Sequence, residues 1–160
     1  MKKAFLAAAF VVAGFIGAKA QDEGFRFGAG VKAAAPIGDF GKVSSFGIGA
    51  EVQGEYMFSA NFSGLGSIGY THYLEKDDSG ADGGIVPILA GIRFYPAPEF
   101  FVGAKAGVAI STSKGGGSAF NYLPHIGYNS ESFQISLGYD AWTKNSFTSG
   151  AIAATGIIKF

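Results

Sequence analysis

The sequence predicts an all-β chain: an eight-stranded antiparallel up-and-down transmembrane β-barrel behind a cleaved signal peptide. Three observations carry the prediction. After residue 23 the chain breaks into eight segments in which apolar and polar side chains alternate. The connections between these segments alternate between long and short. Mean hydropathy is positive, +0.27, yet beyond residue 20 no apolar run approaches the ~20 residues that a membrane helix needs.

Residues 1–20 read as the signal peptide. Lys2 and Lys3 form a basic head, Ala4 to Ala18 an apolar run, and Ala18-Lys19-Ala20 a small-x-small cleavage site ahead of Gln21-Asp22-Glu23. The remainder, 21–160, is the size of one domain. Without Lys2, Lys3 and Lys19 its acidic side chains outnumber the basic ones by three, and no basic patch or helix speaks for nucleic acid. The chain has no cysteine, which excludes thiol chemistry, thiolate-held metals and disulfides. Glycine is enriched, at 26 of 160 residues, but aromatics at 15% argue against the disorder that such enrichment often signals.

The segments follow in order, each close to the ~9–11 residues of a tilted membrane-crossing strand. The first, 24–35, sets Phe25, Phe27 and Val31 against Arg26 and Lys32. The second, 46–58, sets Ile48, Val52, Tyr56 and Phe58 against Glu51, Gln53 and Glu55. The third, 62–75, carries Phe62, Ile68, Tyr70 and Leu74 opposite Ser67 and Thr71. In the fourth, 85–95, Val86, Ile88, Ile92 and Phe94 oppose Arg93; in the fifth, 100–112, Phe100, Val102, Val108 and Ile110 oppose Lys105. The sixth, 120–128, pairs Phe120, Tyr122, Ile126 and Tyr128 with Asn121 and His125. The seventh, 133–142, has Phe133, Ile135, Leu137 and Tyr139 against Gln134, Ser136 and Asp140. The eighth, 151–160, ends on Ile152, Ile158 and Phe160 against Lys159. The stretches "PIGDFGKVSS", "KDDSGADGG", "SKGGGSA" and "TKNSFTSG" are expected as long loops, and "SAN", "PAPE" and "NSES" as tight turns. Pro87 is expected to open the fourth strand, where a missing donor costs little; Pro124, in mid-strand, predicts a bulge or ladder break.

Two patterns point the apolar face outward. Aromatics end that face at the short-turn side of every segment: Phe25, Phe58, Phe62, Phe94, Phe100, Tyr128, Phe133 and Phe160. A ring at one level is what a membrane–water interface selects. Glycines gather on the polar face instead, among them Gly28, Gly30, Gly47, Gly49, Gly91, Gly103, Gly107 and Gly127. In the narrow lumen of eight strands, small residues must make room for each long polar one. A soluble lipocalin-like binder, the rival fold, would turn the same faces the other way.

These features resemble the eight-stranded outer-membrane barrels of the OmpA-transmembrane-domain and OmpX type, and the short porin-family barrels of Bacteroidetes-like bacteria. The resemblance rests on the signal peptide, on "GFRFGAGVKAA" in the first segment and on the closing "GIIKF". It implies an outer-membrane location, lipid as the surrounding partner, and a monomer. It also implies that the last strand, through Ile158 and Phe160, is read by the barrel assembly machinery.

The candidate site is the polar lumen. Arg26, Lys32, Glu51, Glu55, Arg93, Lys105, Asp140 and Lys159 are expected to form a structural ion-pair network, with Arg26 near Glu55 and Lys32 near Glu51, because buried charges must be paired. The expected role is structural or surface-interacting and non-enzymatic, without metal or cofactor. Alternatives are a narrow solute path and a lipid A-modifying enzyme. The latter needs a His-x-Ser pair, and His125-Ile126-Gly127 lacks the serine; His72 reads as lipid-facing near the outer rim. Asp77, Asp78 and Asp82 fit a calcium loop poorly, because Gly80 falls on a ligand position, and "SKGGGS" lacks phosphate-loop spacing.

Overall fold

A computed structural model describes residues 24–76, 83–113 and 115–160. The signal peptide, Asp77, Asp78 and Asp82 lie outside these described residues. Eight strands form: β1 (Phe25–Ile37), β2 (Ser44–Met57), β3 (Phe62–Glu75), β4 (Gly83–Ala97), β5 (Phe100–Ser111), β6 (Ser118–Asn129), β7 (Phe133–Lys144) and β8 (Phe147–Lys159). Each pairs antiparallel with its sequence neighbour, and β1 pairs with β8, so the sheet closes on itself without an edge. One helical turn, α1 (Phe40–Val43), lies between β1 and β2.

Closure gives every side chain one of two places, and the burial pattern alternates accordingly. Glu55 and Asp140 each keep 1% of their surface, whereas Val31 keeps 69% and Ile158 68%. The apolar face is therefore outside and the charges inside, the reverse of a lipocalin. All eight aromatics of the short-turn rim are exposed. Several touch: Phe62 and Phe94 lie 5.0 Å apart, and Phe100 and Tyr128 5.6 Å. The Phe160 amide donates to the Phe27 carbonyl, tying the end of β8 into the rim.

Glycine clears the lumen for large rings rather than only for charges. A Cβ at Gly47 would stand 2.6 Å from the Tyr73 ring, and one at Gly127 would run into the ring of Phe101.

Two expectations need correction. "TKNSFTSG" is not a long loop: Lys144 pairs with Phe147, leaving a two-residue turn at Asn145 and Ser146, with φ 49° and 68°. Two successive positive φ values are the mark of the type I′ hairpin, whose twist suits the flanking strands. Pro87 does not open β4, which begins at Gly83. It lies inside the strand, opposite Gly69 in a register that runs from Ile68↔Ile88 to Thr71↔Ile85 with the pairs between missing. At Pro124 the expected ladder break is found: Tyr122 faces Ala141 and His125 faces Gly138 with the pairs between missing, and no bulge is inserted. A proline lacks one donor, and the loss is confined to one flank of its strand.

Candidate functional site

Six of the eight predicted lumen charges meet inside the barrel as three ion pairs. Lys32 pairs with Asp140, Arg93 with Glu55 at 3.0 Å and Lys105 with Glu51 at 2.5 Å. Each is almost wholly buried and each cation has its anion, so these pairs are neutral as a group. That is the condition under which charge can be held away from water.

The partners differ from those expected. Arg26 does stand opposite Glu55 across β1 and β2, but it lies exposed at the short-turn rim, where its side chain has water. Glu55 reaches across the lumen to Arg93 instead. Likewise Lys32 turns to Asp140 and leaves Glu51 to Lys105. Lys159, half-buried at the rim, donates to Asn129 Oδ1 at 2.9 Å.

Arg93 is the hub. Its Nη1 donates to Glu55 Oε2 and to Gln134 Oε1, each at 3.0 Å. Its Nη2 donates to Gln53 Oε1 at 3.2 Å and its Nε to His125 Nε2 at 3.1 Å. The guanidinium also sits 4.3 Å from the centroid of the Phe101 ring, a cation–π contact. Glu55 is satisfied from several sides, accepting Ser63 Oγ at 2.6 Å, Tyr95 OH at 2.5 Å and Gln134 Nε2 at 3.1 Å. Gln53 donates to Gln134 at 2.7 Å, Lys105 to Ser67 at 3.1 Å, and Asn121 to Asp140 at 2.7 Å.

This arrangement engages His125 in the polar network. With Nε2 accepting from Arg93, the Nδ1 of His125 is left to donate to the Leu123 carbonyl at 3.1 Å. The ring is locked by structural contacts rather than set beside a nucleophile. His72 lies on the outer wall, 3.4 Å from the Tyr70 hydroxyl. No cluster of metal-ligating side chains occurs among the described residues.

Sequence reasoning missed the aromatic half of the interior. Phe40, Tyr73 and Trp142 meet edge to face at the long-loop mouth, with centroids 5.0 to 5.6 Å apart. Ala34, Ala109, Ala151 and Ala153 pack around them. The lumen thus holds the ion-pair network among buried Leu65, Leu89, Tyr95, Phe101, Leu123 and Ile157 in its middle and short-turn half, and an apolar plug at the other mouth. Tyr73 and Trp142 share their strand parity with Thr71 and Asp140, which was the available signal. Phe40 comes from α1 and has no parity to read.

Cavities open at the two mouths and share no lining residue. One of about 550 Å³ at the short-turn end is bordered by Arg26, Tyr95, Glu99, Asn129, Glu131 and Lys159. One of about 480 Å³ opens at the other end over Phe40 and Trp142. On α1, Lys42 donates to Asp39 at 2.7 Å. That bond, together with the lysine's charge, holds the Asp39 carboxyl below its ordinary value. Both groups are fully exposed and mark a solvated loop.

An apolar belt outside, neutralised charge inside and an edgeless ladder are now in place. The fold is that of the eight-stranded outer-membrane barrels. No family model and no curated relative matches the chain, but solved structures do. Ail, the attachment invasion locus protein of Yersinia pestis, is 18% identical with a TM-score of 0.61, the match covering 87% of this chain and 100% of that one. Neisserial surface protein A is 19% identical with a TM-score of 0.54, covering 86% and 98%. A transmembrane β-barrel designed de novo is 14% identical with a TM-score of 0.56, covering 88% and 98%. That a designed barrel matches about as well as a natural one shows that the likeness is one of architecture. The barrel's particular task must come from its own residues.

Proposed function

We propose that the protein is a small integral protein of the bacterial outer membrane, non-enzymatic, with a structural or surface-interaction role. The observation that carries this reading is the inversion of polarity, with three neutral ion pairs buried inside a wall of exposed Val, Ile, Leu and Phe. Such a wall in water would expose far more contiguous apolar surface than a soluble monomer carries; in hydrocarbon it is matched. The similar Yersinia protein is named for attachment and invasion and the neisserial one as a surface protein, which favours a surface role. A solute path is the weaker reading. Arg93, Glu55, Gln53 and Gln134 lie between the two mouths and are bonded to one another.

The exposed aromatics from Phe25 round to Phe160 serve as the periplasmic interface ring. Ile158 and Phe160 serve as the signal read by the assembly machinery, after removal of residues 1–20. The test is fractionation and heat-modifiability. The protein should extract only with detergent and migrate faster before boiling than after it. Recovery in the soluble periplasmic fraction without detergent would remove the membrane reading.

A further inference from the structure

The outer mouth holds a chemistry that the structural role leaves unused. The cavity of about 480 Å³ lies between α1, the β5–β6 connection and the tip of the β7–β8 hairpin, within the size range of small-molecule sites. Phe40, Ile85 and Trp142 line it from below, and Phe147 stands beside it. Phe147 keeps 82% of its surface. It opens β8 at the hairpin tip, paired with Lys144 beyond the last lumen charges. A phenyl ring held at a cavity mouth and left bare is unmatched apolar area.

The polar complement is small and one-sided. Lys144, exposed at the hairpin tip, is the one charged residue lining the cavity among those described, and no hydrogen bond or ion pair to another described residue holds it there. The buried cations of the interior, by contrast, each already meet an anion: Lys32 with Asp140, Arg93 with Glu55, Lys105 with Glu51. Three aromatic rings and, among the described residues, one unpaired cation border a single space.

We propose that this vestibule binds a small amphipathic anion, its flat apolar body against Phe40, Trp142 and Phe147 and its acidic group on Lys144. The inference rests on the membrane reading above, which turns this mouth to the outside. A neutral ligand would gain nothing from the ammonium, and a cationic one would be repelled by it.

Trp142 is the chain's single tryptophan, so its emission reports on the floor of the site. The full chain in lipid nanodiscs is titrated with 4-phenylbutyrate, 4-phenylbutanol and 4-phenylbutylamine, with calorimetry on the same samples. A saturable response to the carboxylate is expected, with the alcohol binding about tenfold more weakly, the worth of one charge-assisted contact. Lys144→Gln should bring the carboxylate down to the level of the alcohol, and Phe147→Ala should weaken both.

Equal affinity for acid and amine, or an unchanged Lys144→Gln, would overturn the site. So would a response by neither method, or a linear one that empty nanodiscs share. A heat-modifiable barrel that fails these titrations loses the vestibule and keeps its membrane assignment. A chain that is not heat-modifiable loses both.

Discussion

Arg93 offers the sharpest perturbation of the lumen. In Arg93→Ala the carboxylate of Glu55 loses its counter-ion while remaining 1% exposed. Removing one member of a buried pair typically costs ~3–5 kcal/mol, chiefly because the other charge is left uncompensated. Adding the four hydrogen bonds of Arg93 one by one would overshoot that range, since their partners are shared and such contributions do not sum. Glu55 keeps Ser63, Tyr95 and Gln134 as donors, which places the cost near the lower end, about 3 kcal/mol. The double variant Arg93→Met/Glu55→Gln removes both charges and should recover most of the loss, because an apolar replacement of similar volume is often neutral. Arg26→Ala, at the exposed rim, should cost under ~0.5 kcal/mol. The assay is reversible urea unfolding from lipid vesicles, followed by the loss of heat-modifiability. If Arg26→Ala proved as costly as Arg93→Ala, or if the double variant were no better than the single one, the pairing across the lumen would be wrong.

Three further outcomes follow from other parts of the barrel. Ser146 holds φ 68° in the hairpin turn, so Ser146→Gly should stabilise by ~1 kcal/mol, read as a higher urea midpoint with an unchanged slope. Ile68 lies in the middle of β3 on the exposed face; Ile68→Arg should cost ~2–4 kcal/mol in a bilayer, and a cost near zero there would mean that no hydrocarbon touches this wall. Phe160→Ala should reduce the heat-modifiable fraction in outer membranes while leaving refolding into detergent micelles nearly unchanged. A matched loss in micelles would make Phe160 a packing residue rather than a signal.

Much of the architecture was legible because a closed sheet gives each side chain two choices and period-two alternation reveals which one it takes. Val31 beside Lys32, or Phe94 beside Arg93, decides a face on its own. The partners of the lumen charges were less legible. Register brings Arg26 opposite Glu55, but a long side chain crosses a narrow lumen as easily as it reaches a neighbouring strand. Which cation meets Glu55 is therefore set by depth and by access to water. The β7–β8 turn was hidden because Asn145-Ser146 lacks the glycine that usually announces a two-residue hairpin. The aromatic plug was hidden because one of its members, Phe40, arrives from a loop.

The closing ladder sets the order of events in folding. Pairing β1 with β2, or β5 with β6, joins stretches separated by a few residues, so each hairpin can form as soon as its strands exist. Pairing β1 with β8 brings Gly28 to Lys159 across almost the whole chain. That seam carries the largest loop-closure entropy and should be the slow, committing step. Until it zips, two unpaired edges face outward together, and the species most prone to aggregate is the nearly finished one.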